Sequence, residues 1–297
     1  MAYHSGFAAI IGRANVGKST LLNKLVGHKV AIMSDKPQTT RNRIVAVVTG
    51  EDYQAVFIDT PGIHKARHKL GEFMVKTARQ TLSDVDLVLF VVDATAPIGD
   101  LDREIARDLG EAGSPAVLVV NKLDAVSKDR LLAAVAGYSG LHAFSDVVPV
   151  SALTGENTDT LLTVIRGYLS EGPQYYPEDA SSDQPEALLL AELVREKILQ
   201  LTHDEVPHSV AVVVEEMNER PDGLVYAKAN VFVERDSQRG ILIGEGGRML
   251  REVGRRAREE GESLLGSRLY LDLWVKVKKD WRDREDLLRQ MGFRRDD

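Results

Sequence analysis

The chain contains no cysteine. Disulfides, thiolate metal sites and cysteine nucleophiles are therefore excluded. No apolar run approaches the roughly 18 residues that a membrane span needs. The opening stretch, MAYHSGFAAIIG, lacks the basic segment and cleavage site of a secretory leader, so a cytoplasmic protein is expected. A basic excess is also missing. The net charge is −7 over 297 residues, which argues against generic nucleic-acid binding. No internal repeat is visible. What is present is ordinary globular composition, 43% hydrophobic and 28% charged, at a length that suits one large domain or two of common size. Charge is spread unevenly. Residues 234–297 carry 16 Lys+Arg and 14 Asp+Glu, whereas the rest of the chain carries 22 and 31. A relatively basic C-terminal part on an acidic body suggests a polyanion partner there, or simply a well-solvated surface.

Apolar runs at 7–12, 43–50, 54–60, 86–93, 116–122 and 146–152 read as strands. Several are nearly continuous in Val, Ile and Leu, the pattern of strands covered by helices on both faces. Amphipathic stretches at 69–82, 101–112 and 129–137 lie between them. The alternation predicts an α/β domain with a mostly parallel sheet and helices on both faces, over residues 1–172. The two runs flanking Glu51-Asp52-Tyr53 predict a hairpin with an antiparallel edge strand. Residues 173–185 are rich in Pro, Ser and acids and read as a linker. Residues 186–297 then predict a smaller α+β domain: a helix over 186–202, strands at 209–217 and 224–234, an arginine-rich helix near 246–260, a strand at 267–277 and a C-terminal helix.

Gly12-Arg13-Ala14-Asn15-Val16-Gly17-Lys18-Ser19 fits the phosphate-loop pattern G-x-x-x-x-G-K-[ST], between a strand and a helix. Backbone N–H groups around Val16 and Gly17, and at Thr20 in the helix start, suit phosphate oxygens. Lys18 would reach the β/γ-phosphates and Ser19 a Mg²⁺ ion. Asp59-Thr60-Pro61-Gly62 closes another strand. There Asp59 could hold Mg²⁺ and the Gly62 N–H could meet a γ-phosphate. Asn121-Lys122-Leu123-Asp124 closes a third. The Asp124 carboxylate can accept from the N1–H and 2-amino groups of guanine, donors that adenine lacks, so GTP/GDP is the expected ligand. Asn121 and Lys122 would brace base and loop. Ser151-Ala152-Leu153 follows the next strand, and the Ala152 N–H could meet the guanine oxygen. Each element stands at a strand's C-terminal end, where α/β folds bind ligands.

This set resembles the translational-factor-related GTPases. Residues 34–43, SDKPQTTRNR, would then be the first switch, with Thr40 favoured over Thr39 as the group that closes on Mg²⁺ and the γ-phosphate. Ile63 stands where Ras-like enzymes place a water-orienting glutamine. Hydrolysis must therefore use another device, and slow intrinsic turnover is expected. Related GTPases use an asparagine at the position of Asn15 to bind K⁺ beside the phosphates. K⁺-assisted hydrolysis and simple bracing of the loop are both open roles for Asn15. The catalytic set expected is Lys18, Thr40, Gly62 and Asn15.

In the second domain, Ile243-Gly244-Glu245-Gly246-Gly247-Arg248 precedes the arginine-rich helix carrying Arg251. It resembles the G-x-x-G loop of KH domains, in their prokaryotic (type II) arrangement, whose backbone clamps single-stranded RNA. Glu245 departs from the basic or neutral residue common there. Lys276, Lys278 and Lys279, with Trp274 and Trp281 nearby, could add phosphate contacts and stacking. Core tryptophans with snorkelling lysines are the alternative, more so for Trp274, which sits in an apolar strand.

From about residue 5 to 293 the chain resembles the Era-like GTPases. NVGKSTLLNKLVG, PQTTRNRI, FIDTPGIHKA, NKLD, SAL, IGEGG and WVKVKKDWR carry the likeness. Ala14 replaces a proline common in that family. The resemblance implies binding of the 16S rRNA 3′ end through the KH domain and work in 30S subunit assembly and 16S maturation. It also implies peripheral association with the cytoplasmic face of the inner membrane in some bacteria. A monomer is expected. Closure of residues 34–43 is expected to change how the second domain presents its RNA-binding surface. Two other readings stay open. One is a small-molecule kinase, against which Asp124 and the Asp59–Gly62 element argue. The other is a GTPase whose second domain binds protein or membrane.

Overall fold

The computed structural model describes residues 2–36, 38–66, 68–82 and 84–293. Pro37, within the expected switch, lies outside the described residues. The described chain separates into two compact units. One holds 2–33, 38–66 and 74–183, and the other holds 34–36, 68–73 and 184–293.

The first unit runs β1 (His4–Ile11), α1 (Lys18–Val26), β2 (Ile44–Thr49), β3 (Tyr53–Asp59), α2 (Lys69–Gln80, its later turns), β4 (Leu87–Asp93), α3 (Asp100–Ala112), β5 (Ala116–Asn121), α4 (Lys128–Ser139), β6 (Asp146–Pro149), α5 (Thr158–Arg166) and β7 (Ser170–Glu171). The sheet order is β2-β3-β1-β4-β5-β6, with β7 antiparallel to the start of β1. Only β2 and β7 run antiparallel to their neighbours, so the predicted antiparallel edge strand is β2. Every residue of β4 is buried because alternate side chains enter two cores. Leu87, Leu89 and Val91 meet Leu21 and Leu25 of α1 and Leu161 and Ile165 of α5. Val88, Phe90 and Val92 meet Ala78 of α2, Ile105 and Leu109 of α3, and Tyr138 of α4. Each such aliphatic side chain contributes roughly 1.5–3 kcal/mol by leaving water, which is why the strands read as unbroken apolar runs. Helix α5 and strand β7 went unpredicted, the first for its mixed composition and the second for its length of two residues.

The Pro- and Ser-rich stretch after β7 is held by the sheet. Gln54, wholly buried, accepts from the N–H groups of Tyr175 and Tyr176 at 2.9 Å each. Ser181 O accepts from Val47 N at 2.9 Å, and Ser182 bridges antiparallel to Ala46. The free edge of β2 is thereby covered, which protects it from pairing with other chains.

The second unit contains α6 (Glu186–Leu201), α7 (Val206–Ser209), β8 (Ala211–Glu219), β9 (Val225–Val233), α8 (Asp236–Ile243), α9 (Arg248–Leu265), β10 (Leu269–Val277) and α10 (Glu285–Gln290). Its sheet is ordered β10-β9-β8, with β10 parallel and β8 antiparallel to β9. Val194 and Ile198 of α6, Leu242 of α8, and Val253 and Ala257 of α9 pack with Val231, Val233, Leu271 and Leu273. The helices thus cover one face of the sheet. Helix α8 is not legible from sequence: Asp236–Ile243 holds a glycine, and its short apolar run is equally strand-like. Trp274 reverses the expectation of a core position. The β10–β9 register sets it opposite Asn230 on the helix-free face, 55% exposed, with Nε1 donating to Asp272. Trp281 is the core tryptophan, fully buried, with Nε1 donating to Ser209 O at 2.8 Å. Among the described residues no helix is long and apolar enough to cross a membrane.

Candidate functional site

Parallel pairing brings the C-terminal ends of β1, β3, β4, β5 and β6 to one edge of the first sheet. The loop from Gly12 to Gly17 leaves β1 there and turns into α1. Gly17, at φ 98, caps the helix, and a Cβ there would lie 2.2 Å from the Asn121 amide nitrogen. Asn15 is also left-handed, at φ 64, a conformation that asparagine tolerates better than most side chains. Val16 is buried and its carbonyl accepts from Asn121 Nδ2 at 2.8 Å. Thr20 lies in the first turn of α1.

Lys18 is buried, and its ammonium donates to the carbonyls of Gly12 (3.2 Å) and Arg13 (3.0 Å). Burial draws its pKa down to about 8 against the opposing pull of Asp59. Asp59, wholly buried, is moved the other way: burial raises its pKa, while Lys18, Ser19 and Thr40 oppose the rise. The hydroxyl of Ser19 donates to Asp59 Oδ2 at 2.8 Å. Thr40 Oγ1 lies 2.8 Å from Ser19 Oγ and 3.3 Å from the same carboxylate oxygen. Three hard oxygen donors therefore converge, and Asp59 Oδ1 is buried with no hydrogen-bond partner among the described residues. That donor set fits Mg²⁺, which takes carboxylate and hydroxyl oxygens together with substrate phosphates. Gly62 packs on the phosphate loop, where a Cβ would come 2.8 Å from Ala14 Cα. Ile63 turns into the apolar core beside Ala9 and Ile11. Its N–H donates to Gly12 O at 3.2 Å.

At the other end of the same edge, Asn121 is buried between two loops, because its Oδ1 also accepts from Ala152 N at 2.9 Å. Lys122 pairs with Asp93 Oδ2 at 2.6 Å. Burial works against the Asp93 charge, yet hydrogen bonds from Lys122 and Thr95 hold its carboxyl below the usual range. Asp124 is exposed and accepts from the Ser151 hydroxyl. Leu153 projects beside it, 77% exposed. The edge thus joins a glycine-bounded loop, an oxygen cluster and an exposed carboxylate.

Local sequence gives no sign of one further element. Arg13, inside the phosphate loop, forms an ion pair with Asp102, and Asp102 also accepts from Gly99 N at 2.7 Å and from the Tyr138 hydroxyl. The partner is far away in sequence, so only the fold reveals the pair.

In the second unit, α8 ends at Gly244 (φ 70), a tight turn spans Glu245–Gly247, and α9 starts at Arg248. A Cβ on Gly244 would lie 2.9 Å from Met249 Cβ. A groove of about 880 Å³ lies beside the turn, lined by Gly247, Arg248, Arg251, Arg255 and Arg258 of α9 and Tyr270 of β10. The arginines are not equivalent. Arg248 pairs with Glu245, and Arg255 is held by Glu252 and Glu259. All four, Arg251 and Arg258 included, are exposed. Ile243, the last residue of α8, leads into the turn, and Gly246 sits in it at φ 59. Lys276, Lys278 and Lys279 do not line the groove. Lys276 lies on the helix-free face and pairs with Glu215 at 3.4 Å, while Lys278 and Lys279 follow the end of β10.

Comparison with known proteins follows this division. Residues 7–122 match the family described as 50S ribosome-binding GTPase, and residues 205–282 match the KH domain. The GTPase Era of Heliobacterium modesticaldum is 56% identical over 289 residues, 97% of each chain. A variant of Aquifex aeolicus Era, solved bound to GDP and AlF4⁻, superposes with a TM-score of 0.94 at 41% identity, over 98% of this chain and 99% of that one. A structure of Era with MgGDPNP and nucleotides 1506–1542 of 16S ribosomal RNA gives a TM-score of 0.95 at 40% identity, with the same coverage.

Proposed function

This chain belongs to the GTPase Era family, and from that premise we propose that it is a GTP-operated switch in 30S ribosomal subunit assembly, binding the 3′ end of 16S rRNA through its KH domain and acting in maturation of that RNA. The observation that carries this reading is that one chain holds both the Ser19–Thr40–Asp59 oxygen cluster beside Lys18 and a glycine-hinged, arginine-lined groove. It acts as a monomer, and any association with the inner membrane is peripheral.

In this reading the backbone of 15–20 and Lys18 bind the phosphates, and Asp124 selects guanine while Asn121 and Ala152 hold the base-side loops. Ser19, Thr40 and Asp59 would hold Mg²⁺. When bound, that ion neutralises charge on the β- and γ-phosphate oxygens. The Gly62 N–H meets the γ-phosphate, and loss of that phosphate releases Thr40 and relaxes residues 34–43. A K⁺ ion beside Asn15 is a finer part of the proposal. Its left-handed backbone already accounts for asparagine at this position, so the ion stands on the family likeness. Equal GTPase rates in K⁺ and Na⁺ buffers would sink it.

The test is binding of a 16S 3′-end oligonucleotide to the full chain, together with release of GDP and phosphate in the absence of any acceptor substrate. Gly244→Asp should abolish RNA binding and leave GTP hydrolysis intact. Unchanged RNA affinity in the folded variant would favour a protein or membrane partner instead. Equal RNA affinity in the GTP-analogue and GDP states would refute control by nucleotide.

A further inference from the structure

Ile63, in the place where a glutamine orients water in Ras-like enzymes, is buried in the apolar core and offers no polar atom to the nucleotide. The next side chain, His64, carries two ring nitrogens. His64 Nδ1 lies 2.8 Å from the carbonyl oxygen of Gly62. A carbonyl oxygen can only accept, so Nδ1 carries the proton and donates. In a neutral imidazole this leaves Nε2 as a bare lone pair, an acceptor. Nε2 is buried and has no hydrogen-bond partner among the described residues. Buried polar atoms are almost always satisfied, and an exception calls for a bound group or a functional role. The ring is tethered to the same residue whose N–H is read as the γ-phosphate contact, on the strand end that carries Asp59.

We propose that His64 is a catalytic residue in GTP hydrolysis, with Nε2 accepting a hydrogen bond from the attacking water. This rests on reading the Lys18–Asp59 site as the GTP site. The water oxygen forms its bond to the γ-phosphorus as the bond to the β–γ bridging oxygen breaks. GDP leaves with that electron pair, and the water protons end on the released phosphate as H2PO4⁻. His64 orients the lone pair of the water and is unchanged at the end. The imidazole thus takes the part that Ile63 cannot.

Single-turnover hydrolysis at saturating Mg·GTP tests this on the full chain, with affinities for GDPNP and for GDP–AlF4⁻ measured alongside. His64→Ala and His64→Phe should lower the hydrolysis rate about 100-fold. GDPNP affinity should stay within about twofold, while GDP–AlF4⁻ binding weakens in step with the rate, because only transition-state contacts are removed. His64→Gln, which restores an acceptor oxygen, should recover the rate to within about tenfold of the parent. A His64→Ala rate equal to the parent's would overturn the proposal. If His64→Ala does not fold, equal rates in His64→Gln and His64→Phe overturn it. Loss of GDPNP binding in every variant would overturn it too, through the reading of the site itself.

Discussion

Arg13 Nε stands 2.8 Å from Asp102 Oδ1, so the first cation of the phosphate loop is drawn to the start of α3. Its guanidinium lies against Gly99, where a Cβ would come 3.2 Å from Nη1. Asp102 is wholly buried and also takes hydrogen bonds from Gly99 and Tyr138. The loop is thus anchored to α3 and α4 as well as to β1. Removing one partner of a buried pair leaves the other uncompensated. Asp102→Ala should therefore cost about 3 kcal/mol in urea unfolding, and Asp102→Asn less, since the amide oxygen still accepts.

Lys18 makes nucleotide affinity sensitive to pH. Burial draws its pKa to about 8, so its uncharged fraction grows above that pH. A bound phosphate favours the charged form and raises the pKa again. Binding of GDP at pH 8.5 should consequently take up a proton, and affinity should fall as pH rises further. Calorimetry in buffers of different ionisation enthalpy counts the proton. Lys18→Arg, charged throughout, should take up none.

Asp124 is exposed and accepts from the Ser151 hydroxyl, and in the proposed GTP site it would meet two donors on one base edge. Asp124→Asn sets an amide N–H against those donors and leaves them unpaired. Displacement of a fluorescent guanine nucleotide should show at least about a 100-fold loss of affinity. The oxygen cluster around Asp59 is remote from this change, so the Mg²⁺ dependence of what binding remains should persist.

The groove of the second unit should divide its arginines. Arg255 already satisfies Glu252 and Glu259, and hydrogen bonds from Arg255 and Arg256 hold Glu252 down to about 2. Arg251 lines the groove beside Gly247. Arg251→Ala should weaken RNA binding and reduce the salt slope by about one. Arg255→Ala should change the slope little. Filter binding across a salt series separates the two.

The phosphate-loop, Asn121–Asp124 and G-x-x-G patterns were all legible in the sequence, because each is local, its residues only a few positions apart. Strand runs such as Leu87–Asp93 were legible too, since burial on both faces erases polar alternation. Asp236–Ile243 was not, because a short apolar run with an internal glycine has no decisive period. The two tryptophans show the limit most clearly. Trp274 looks like core in its apolar strand, yet register against β9 turns it outward. Trp281 looks ambiguous, yet Ser209 and Phe293 enclose it.

By itself, then, the sequence determined which donors and acceptors the chain carries in local patterns: the backbone and Lys18 of the phosphate loop, the Asp124 carboxylate, and the glycines and arginines around Gly244–Gly247. Tertiary structure alone decided which side chains are spoken for. It tied Arg13 to Asp102, set Thr40 beside Ser19 and Asp59, engaged Arg255 with two glutamates, and left the Nε2 of His64 buried without a partner among the described residues. The physical reason is that a motif specifies donors and acceptors, whereas their availability depends on neighbours that arrive from distant parts of the chain when it folds.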